Sequence, residues 1–331
     1  MFHPLDILNC IFDTFDQGLL KDFQGFLAGK KHVSKWMIAA DFCIDAKRPN
    51  TIFAFSVLPH DAAPESIQRK IASSLPSDWK SSRDLTEAAT SILRSDEYYH
   101  FCFVLDRKYK YFQDENGNSS PRNAKKAIEK TLSLIRKKAS QETLTRAYKL
   151  RQESLKKNFS TSLASQICLF SIFYSFITLA LLRERKSELI GWFPDRDKIT
   201  EYCDGVAWDF LNYNVAGMAE KLGISIAGVE FGNAIPDPTQ RPEDAMWFDE
   251  MIRLPDYLAS PLSVLDLTKN ELVVDKKKYS DALNNVFVGT QNIAVFRLHI
   301  KPGSAQAARL SIQAADEAQD GWDNVPPHKS Q

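Results

Sequence analysis

The chain reads as an α/β protein built on one mixed sheet. Three antiparallel strands come first, two parallel strands reached by helical crossovers follow, helices cover both faces, and an extra helix precedes the sheet. Three observations lead there. Apolar runs at 35–44, 51–58 and 98–105 come early, the first two joined only by a short segment with Arg48-Pro49-Asn50, the pattern of a hairpin. Two later runs, 188–193 and 225–231, are each preceded by helix-length segments, and connections of that length join parallel strands. The 21 Phe, 10 Tyr and 6 Trp supply enough apolar surface to cover a sheet on both sides.

Taken in order, residues 4–28 place Leu5, Leu8, Ile11, Phe12, Phe15, Leu19, Phe23, Phe26 and Leu27 at helical steps, with Gly18 as a break point and Gly29 as a stop. The hairpin 35–44 and 51–58 ends at Pro59, two short helical patterns fill 64–94, and 98–105 is the third strand. A long helical stretch from Pro121 to about Phe159 and an uncharged helix from about 161 form the first crossover, and 188–193 is the fourth strand. An amphipathic helix over 198–222, ending at Gly223, leads to a fifth strand at 225–231. A polar, proline-containing loop fills 232–245, and 243–267 holds a helix broken or started at Pro255. Residues 276–288 read as helical and 292–300 as a further strand. The expected organisation is one domain over 1–300, with the helix 4–28 in front and a basic helical insertion at 121–160, and a flexible tail over 301–331.

Residues 161–182 carry no charge and are long enough to span a bilayer, which makes a membrane-associated protein anchored there one alternative. Ser, Thr or Gln at seven of those positions, and basic residues on both flanks, favour a helix buried in the protein, and no membrane is expected. Five cysteines at 10, 43, 102, 168 and 203 form no close-spaced pair, which argues against a disulfide framework and a zinc site. The first twenty residues lack a basic segment ahead of an apolar run, so a cytoplasmic protein is expected.

The acids fall at telling places. Asp41 lies inside the first strand, after Ile38-Ala39-Ala40, where an ionised carboxylate is costly unless paired or bound to a metal. Asp45, four residues on, shares its face if the strand continues. Asp195 and Asp197, in Trp-Phe-Pro-Asp-Arg-Asp, follow the fourth strand at its C-terminal end, where α/β sheets place ligands. Asp249 and Asp256 surround the start of a late helix. The plain structural alternatives are that Asp195 or Asp197 caps the helix starting near Lys198 and that Asp256 opens its own helix, whereas Asp41, inside its strand, is the hardest to account for in that way.

This order of strands, and these acids, resemble the ribonuclease H-like superfamily of nucleases, integrases and transposases over roughly residues 34–267. The late segment Leu254, Asp256, Tyr257, Leu258 and Ala259 is also similar to that of a family of uncharacterised bacterial proteins with an early strand Asp. The resemblance implies a catalytic set of Asp41, Asp195 and Asp256 holding Mg²⁺ or Mn²⁺, with Asp45, Asp197 and Asp249 as further metal ligands. Hard oxygen donors suit such ions, and a metal pair stabilises the attacking and leaving oxygens of phosphodiester cleavage. The superfamily's usual additional Glu has no distinctive counterpart here, with only Glu129 and Glu142 available. Arg196 and Arg253 stand among the acids, as phosphate clamps or as internal ion-pair partners.

The protein has no net charge, yet residues 121–160 hold twelve Lys or Arg against three Glu, an excess of nine positive charges. Lys125, Lys126, Arg136, Lys137 and Lys138 are the candidates for contact with a nucleic-acid backbone; the alternative is a solvated helix face. The leading expectation is thus a metal-dependent nuclease or related phosphoryl-transfer enzyme, and the second a non-catalytic module of the same fold that binds nucleic acid or a protein. No phosphate loop, dinucleotide fingerprint, nucleophile elbow or zinc-protease motif is present.

Overall fold

The computed structural model describes residues 4–313 apart from 46, 78, 80, 81, 107–110, 115, 136–138, 234–245, 270, 274, 275, 302 and 303. Its centre is a mixed sheet of seven strands: β1 (Lys35–Cys43), β2 (Asn50–Pro59), β3 (Tyr99–Asp106), β4 (Leu189–Pro194), β5 (Glu230–Asn233), β8 (Ile293–Lys301) and β9 (Ser304–Arg309), in the order β5-β4-β1-β2-β3-β8-β9. A two-strand ladder of β6 (Leu265–Asp266) and β7 (Glu271–Leu272) stands apart. β2 runs antiparallel to β1 and β3, β4 lies parallel to β1, and β5 parallel to β4. The meander and the two crossovers thus flank β1, which sits inside the sheet.

One face of the sheet is covered by α1 (Pro4–Gly18), α2 (Leu20–Ala28), α7 (Thr161–Glu184) and α9 (Val206–Leu222), with α5 (Pro121–Ile135), α6 (Gln141–Leu155) and α8 (Lys198–Glu201) packed around them. The opposite face is covered by α3 (Pro64–Ser74), α4 (Glu87–Leu93), α10 (Asp249–Ser263) and α11 (Lys277–Ala282), the last continuing into a π-turn at Leu283–Phe287. Strand alternation divides β1 between the two cores: Trp36, Ile38 and Ala40 enter the first, Met37 and Ala39 the second.

α7 contains the uncharged run of the first crossover and is the one helix, among the described residues, long and apolar enough to cross a membrane. It is enclosed: Phe170, Phe173, Tyr174 and Phe176 are buried. Phe173 stacks on Phe103 at 4.2 Å and 5°, and Phe170 on Phe55 at 5.7 Å and 16°. Two of its serines fold their hydroxyls back on its own turns, Ser175 Oγ donating to the Ser171 carbonyl at 2.7 Å and Ser165 Oγ to that of Thr161 at 2.8 Å.

Several boundaries differ from the sequence reading, each for a local reason. The sheet has seven strands rather than three plus two: the further strand expected at 292–300 is β8, which adds parallel to the outer edge of β3, and an additional strand outside that expectation, β9, pairs antiparallel with β8. Residues 304–309 are therefore sheet, not tail: Thr14 Oγ1 donates to the Ala307 carbonyl at 3.0 Å, and Arg309 donates to that of Gly18. Residues 314–331 lie outside the described residues. The fifth strand starts at Glu230, because Ile226 to Val229 form a turn with Gly228 at φ +76°. The basic stretch is two helices, α6 being restarted by Ser140, whose hydroxyl accepts from the Thr143 N–H. The segment 198–222 is also two helices, separated by Cys203, Asp204 and Gly205 at positive φ. α10 starts at Asp249 and runs through Pro255 and Pro261.

Candidate active site

Asp41 is buried near the C-terminal end of β1, on the face that carries Met37 and Ala39 and packs against α10. The parallel pairing of β4 brings the second acid to it. Ala40 lies opposite Pro194, and the Asp195 N–H donates to the Ala40 carbonyl at 2.9 Å, so Asp195 leaves β4 directly beside Asp41. The third acid comes from above: α10 is tied over the sheet by Asn50, whose Nδ2 donates to the carbonyls of Leu262 and Leu265 at 2.9 and 2.6 Å. Asp256 lies on the α10 surface that meets β1, half-buried, accepting from Ser260 Oγ at 3.4 Å.

The electrostatics link the three. Burial pushes the Asp41 carboxyl well above the usual carboxylate range, and the charges of Asp256 and Asp195 push it further. Burial also raises Asp195; the Arg196 N–H (2.8 Å) and a hydrogen bond from Asp41 pull it back down, while the charges of Asp197 and Asp249 push it further up. Two crowded carboxyls share a proton more readily than both ionise, and the deeper burial of Asp41 favours the proton on its side of the hydrogen bond to Asp195. Asp249 is raised by burial and steadied by the Met246 N–H at 2.8 Å and by the charge of Arg196.

The other predicted residues divide. Asp45 is exposed because β1 ends at Cys43; it caps a turn through the Lys47 N–H (2.8 Å) and lies 3.7 Å from Arg48, so it does not share the face of Asp41. Asp197 is the N-cap of α8, accepting from the Ile199 N–H at 2.8 Å in a capping box with Thr200, though its charge still reaches Asp195. Arg253 donates to the Leu75 carbonyl at 2.8 Å and lies 3.5 Å from Glu250, the internal role rather than an open clamp. Arg196 stays in the field of Asp249 at the rim. Cys43, not singled out in the sequence, belongs here: burial raises its thiol, the Ser263 hydroxyl lowers it, and the charges of Asp41 and Asp256 both act on it. Its spacing of two from Asp41 along one strand was the available signal.

Burial, hard oxygen donors and a carboxyl that cannot ionise cheaply fit Mg²⁺ or Mn²⁺ in kind. Among the described residues, however, no three His, Cys, Asp or Glu side chains are already drawn into a ligand set. A cation would have to displace the proton between Asp41 and Asp195.

Of the basic candidates, Lys126 is exposed and Lys125 half-buried on α5, while Arg136, Lys137 and Lys138 lie outside the described residues. Part of the positive excess is neutralised within the protein. Arg146 makes a two-pronged bond to buried Asp209 at 2.8 and 2.9 Å, Lys149 pairs with Asp204, and Arg151 with Glu129.

No protein-family model matches this chain, and no curated protein or solved structure shows significant similarity to it.

Proposed function

We propose that the protein is a metal-dependent phosphoryl-transfer enzyme of ribonuclease H-like architecture, acting on the phosphodiester backbone of nucleic acid. The observation that carries this reading is Asp41: a buried carboxyl inside an apolar strand, acted on by Asp195 from the neighbouring strand end and Asp256 from the covering helix. Acids of structural purpose elsewhere in the chain, such as Asp45 and Asp197, cap turns and helices. Asp41 caps neither a turn nor a helix; within its strand its carboxyl accepts from the neighbouring Phe42 N–H.

In this reading Asp41, Asp195 and Asp256 would hold Mg²⁺ or Mn²⁺, with Asp249, whose charge acts against that of Asp195, at the rim. The bound ions supply charge stabilisation to the attacking and leaving oxygens. The chain's own contributions are the fixed strand register that aligns Asp41 with Asp195, and the placement of Arg196 near a phosphate. The exposed Arg122, Lys126 and Lys130 of α5 offer a backbone-tracking surface, which also supports the alternative of a non-catalytic nucleic-acid-binding module.

The test is cleavage of labelled single- and double-stranded DNA and RNA with Mg²⁺ or Mn²⁺ and with chelator. Metal-dependent cleavage lost in Asp41→Asn, with the fold intact by circular dichroism, is the expected result. Cleavage that survives that substitution refutes the reading.

A further inference from the structure

We propose that Trp247 is a stacking platform for an unpaired base of a single-stranded nucleic acid lying across the acids; this rests on the phosphoryl-transfer reading of that site. Trp247 is 51% exposed, an unusual state for the largest apolar side chain. It stands at the rim of the acid cluster by two independent connections. Its ring meets Phe193, two residues before Asp195, at 5.1 Å and 83°, and two residues later in the chain Asp249 acts electrostatically on Asp195.

The ring is held rather than loose. Phe248 meets it at 5.5 Å and 83°, so both ring partners are near-perpendicular. Its backbone is fixed from α3, where Gln68 Nε2 donates to the Trp247 carbonyl, and by the Met246 N–H bonded to Asp249. Phe193 in turn lies over Gly191, where a Cβ would come within 2.8 Å of its ring, so the strand has been cleared to let that ring take its place. A fixed aromatic ring left half-open beside a phosphate-directed site has the chemistry that unpaired bases recognise: every base offers a π-face, and a duplex keeps those faces stacked on its own neighbours. The substrate class that follows is single-stranded nucleic acid, or a strand end unpaired near the scissile phosphate.

The experiment measures binding of the full chain, in chelator so that nothing is cut, to a short labelled single strand, to the duplex of the same sequence, and to strands carrying one abasic position at a time. The single strand is expected to bind more tightly than the duplex. Trp247→Ala should lower single-strand affinity on the order of tenfold, and Trp247→Phe should keep most of it. One abasic position should weaken the parent and have no further effect in Trp247→Ala. Unchanged single-strand affinity in Trp247→Ala, or no oligonucleotide binding by the parent, overturns the proposal. Metal-dependent cleavage indifferent to Trp247→Ala removes the platform and leaves the enzyme reading; the stacking signature in a chain that cuts nothing does the reverse.

Discussion

The two helices that cover the centre of the sheet, α7 on one face and α10 on the other, meet the same strands and do opposite things with them. Against α7, β1 to β3 present Ile38, Phe53, Phe55 and Phe103, and the helix answers with Phe170, Phe173 and Phe176. Rings stack at 4.2 to 5.7 Å, and Ser165 and Ser175 turn their hydroxyls back onto the helix backbone. Against α10, the same strands present Met37, Ala39, Ala54 and Cys102, smaller residues, with Asp41, Ser56 and His100 buried among them. A face filled with large rings has no space for chemistry. A face built from small residues holds polar groups in a low-dielectric setting, where proton affinities shift and a bare charge, of either sign, is costly unless a partner compensates it.

The largest effect that tests this contrast is a break in the sealed face. Phe173→Ala removes the ring stacked on Phe103 and should cost about 3–5 kcal/mol in urea unfolding. A loss below about 1 kcal/mol would mean that the aromatic layer is looser than the ring geometry implies.

On the other face, His100 is buried with its Nδ1 2.8 Å from Ser56 Oγ, and burial lowers its pKa to about 3. Unfolded, it takes a proton near pH 6.5; folded, it refuses one until about pH 3. The unfolded chain therefore binds the extra proton across that window, and stability falls as pH drops through it, by roughly 3 kcal/mol at pH 4. His100→Asn should abolish this part of the acid sensitivity. Parallel unfolding curves for variant and parent between pH 7 and pH 4 would show that His100 is not responsible.

Asp41→Asn should raise Tm by roughly 2–4 °C at neutral or mildly alkaline pH. The sign follows from the raised folded pKa: the folded protein keeps the proton above pH 3.8, and stability declines as rising pH removes it. Below pH 4 both forms are neutral and the gain should vanish. A variant that melts earlier at pH 8 would show that the carboxylate is paired favourably instead.

The smallest effect belongs to Asp45→Asn, which weakens a turn cap at an exposed site. It should cost under about 1 kcal/mol and leave any metal-dependent cleavage as it was. Cleavage lost on that substitution would place Asp45 in the site and blur the distinction between the two acids of this segment.

The amino-acid sequence alone determined the elements whose signals are local. The hairpin 35–58 is marked by two apolar runs and a Pro-Asn turn, α1 and α2 by helical spacing around Gly18, and α7 by a long uncharged run interrupted by hydroxyl and amide side chains. Asp41 could be singled out because a charge inside an apolar strand is costly wherever that strand lies. What depended on distant partners could not be read. Residues 304–309 have the composition of a tail and became β9 only because β8 offers an edge and α1 a hydroxyl. The basic residues look like one positive surface, yet Arg146 finds its acid on α9, 63 residues away. Asp45, Asp197 and Asp195 are alike as letters. Tertiary pairing separates them, since only the parallel register of β4 on β1 puts Asp195 against Asp41, while the other two are used up by the nearest backbone N–H groups. Local periodicity fixes which residues share a face; which faces meet is decided by long-range pairing, and the candidate site exists only where three such faces come together.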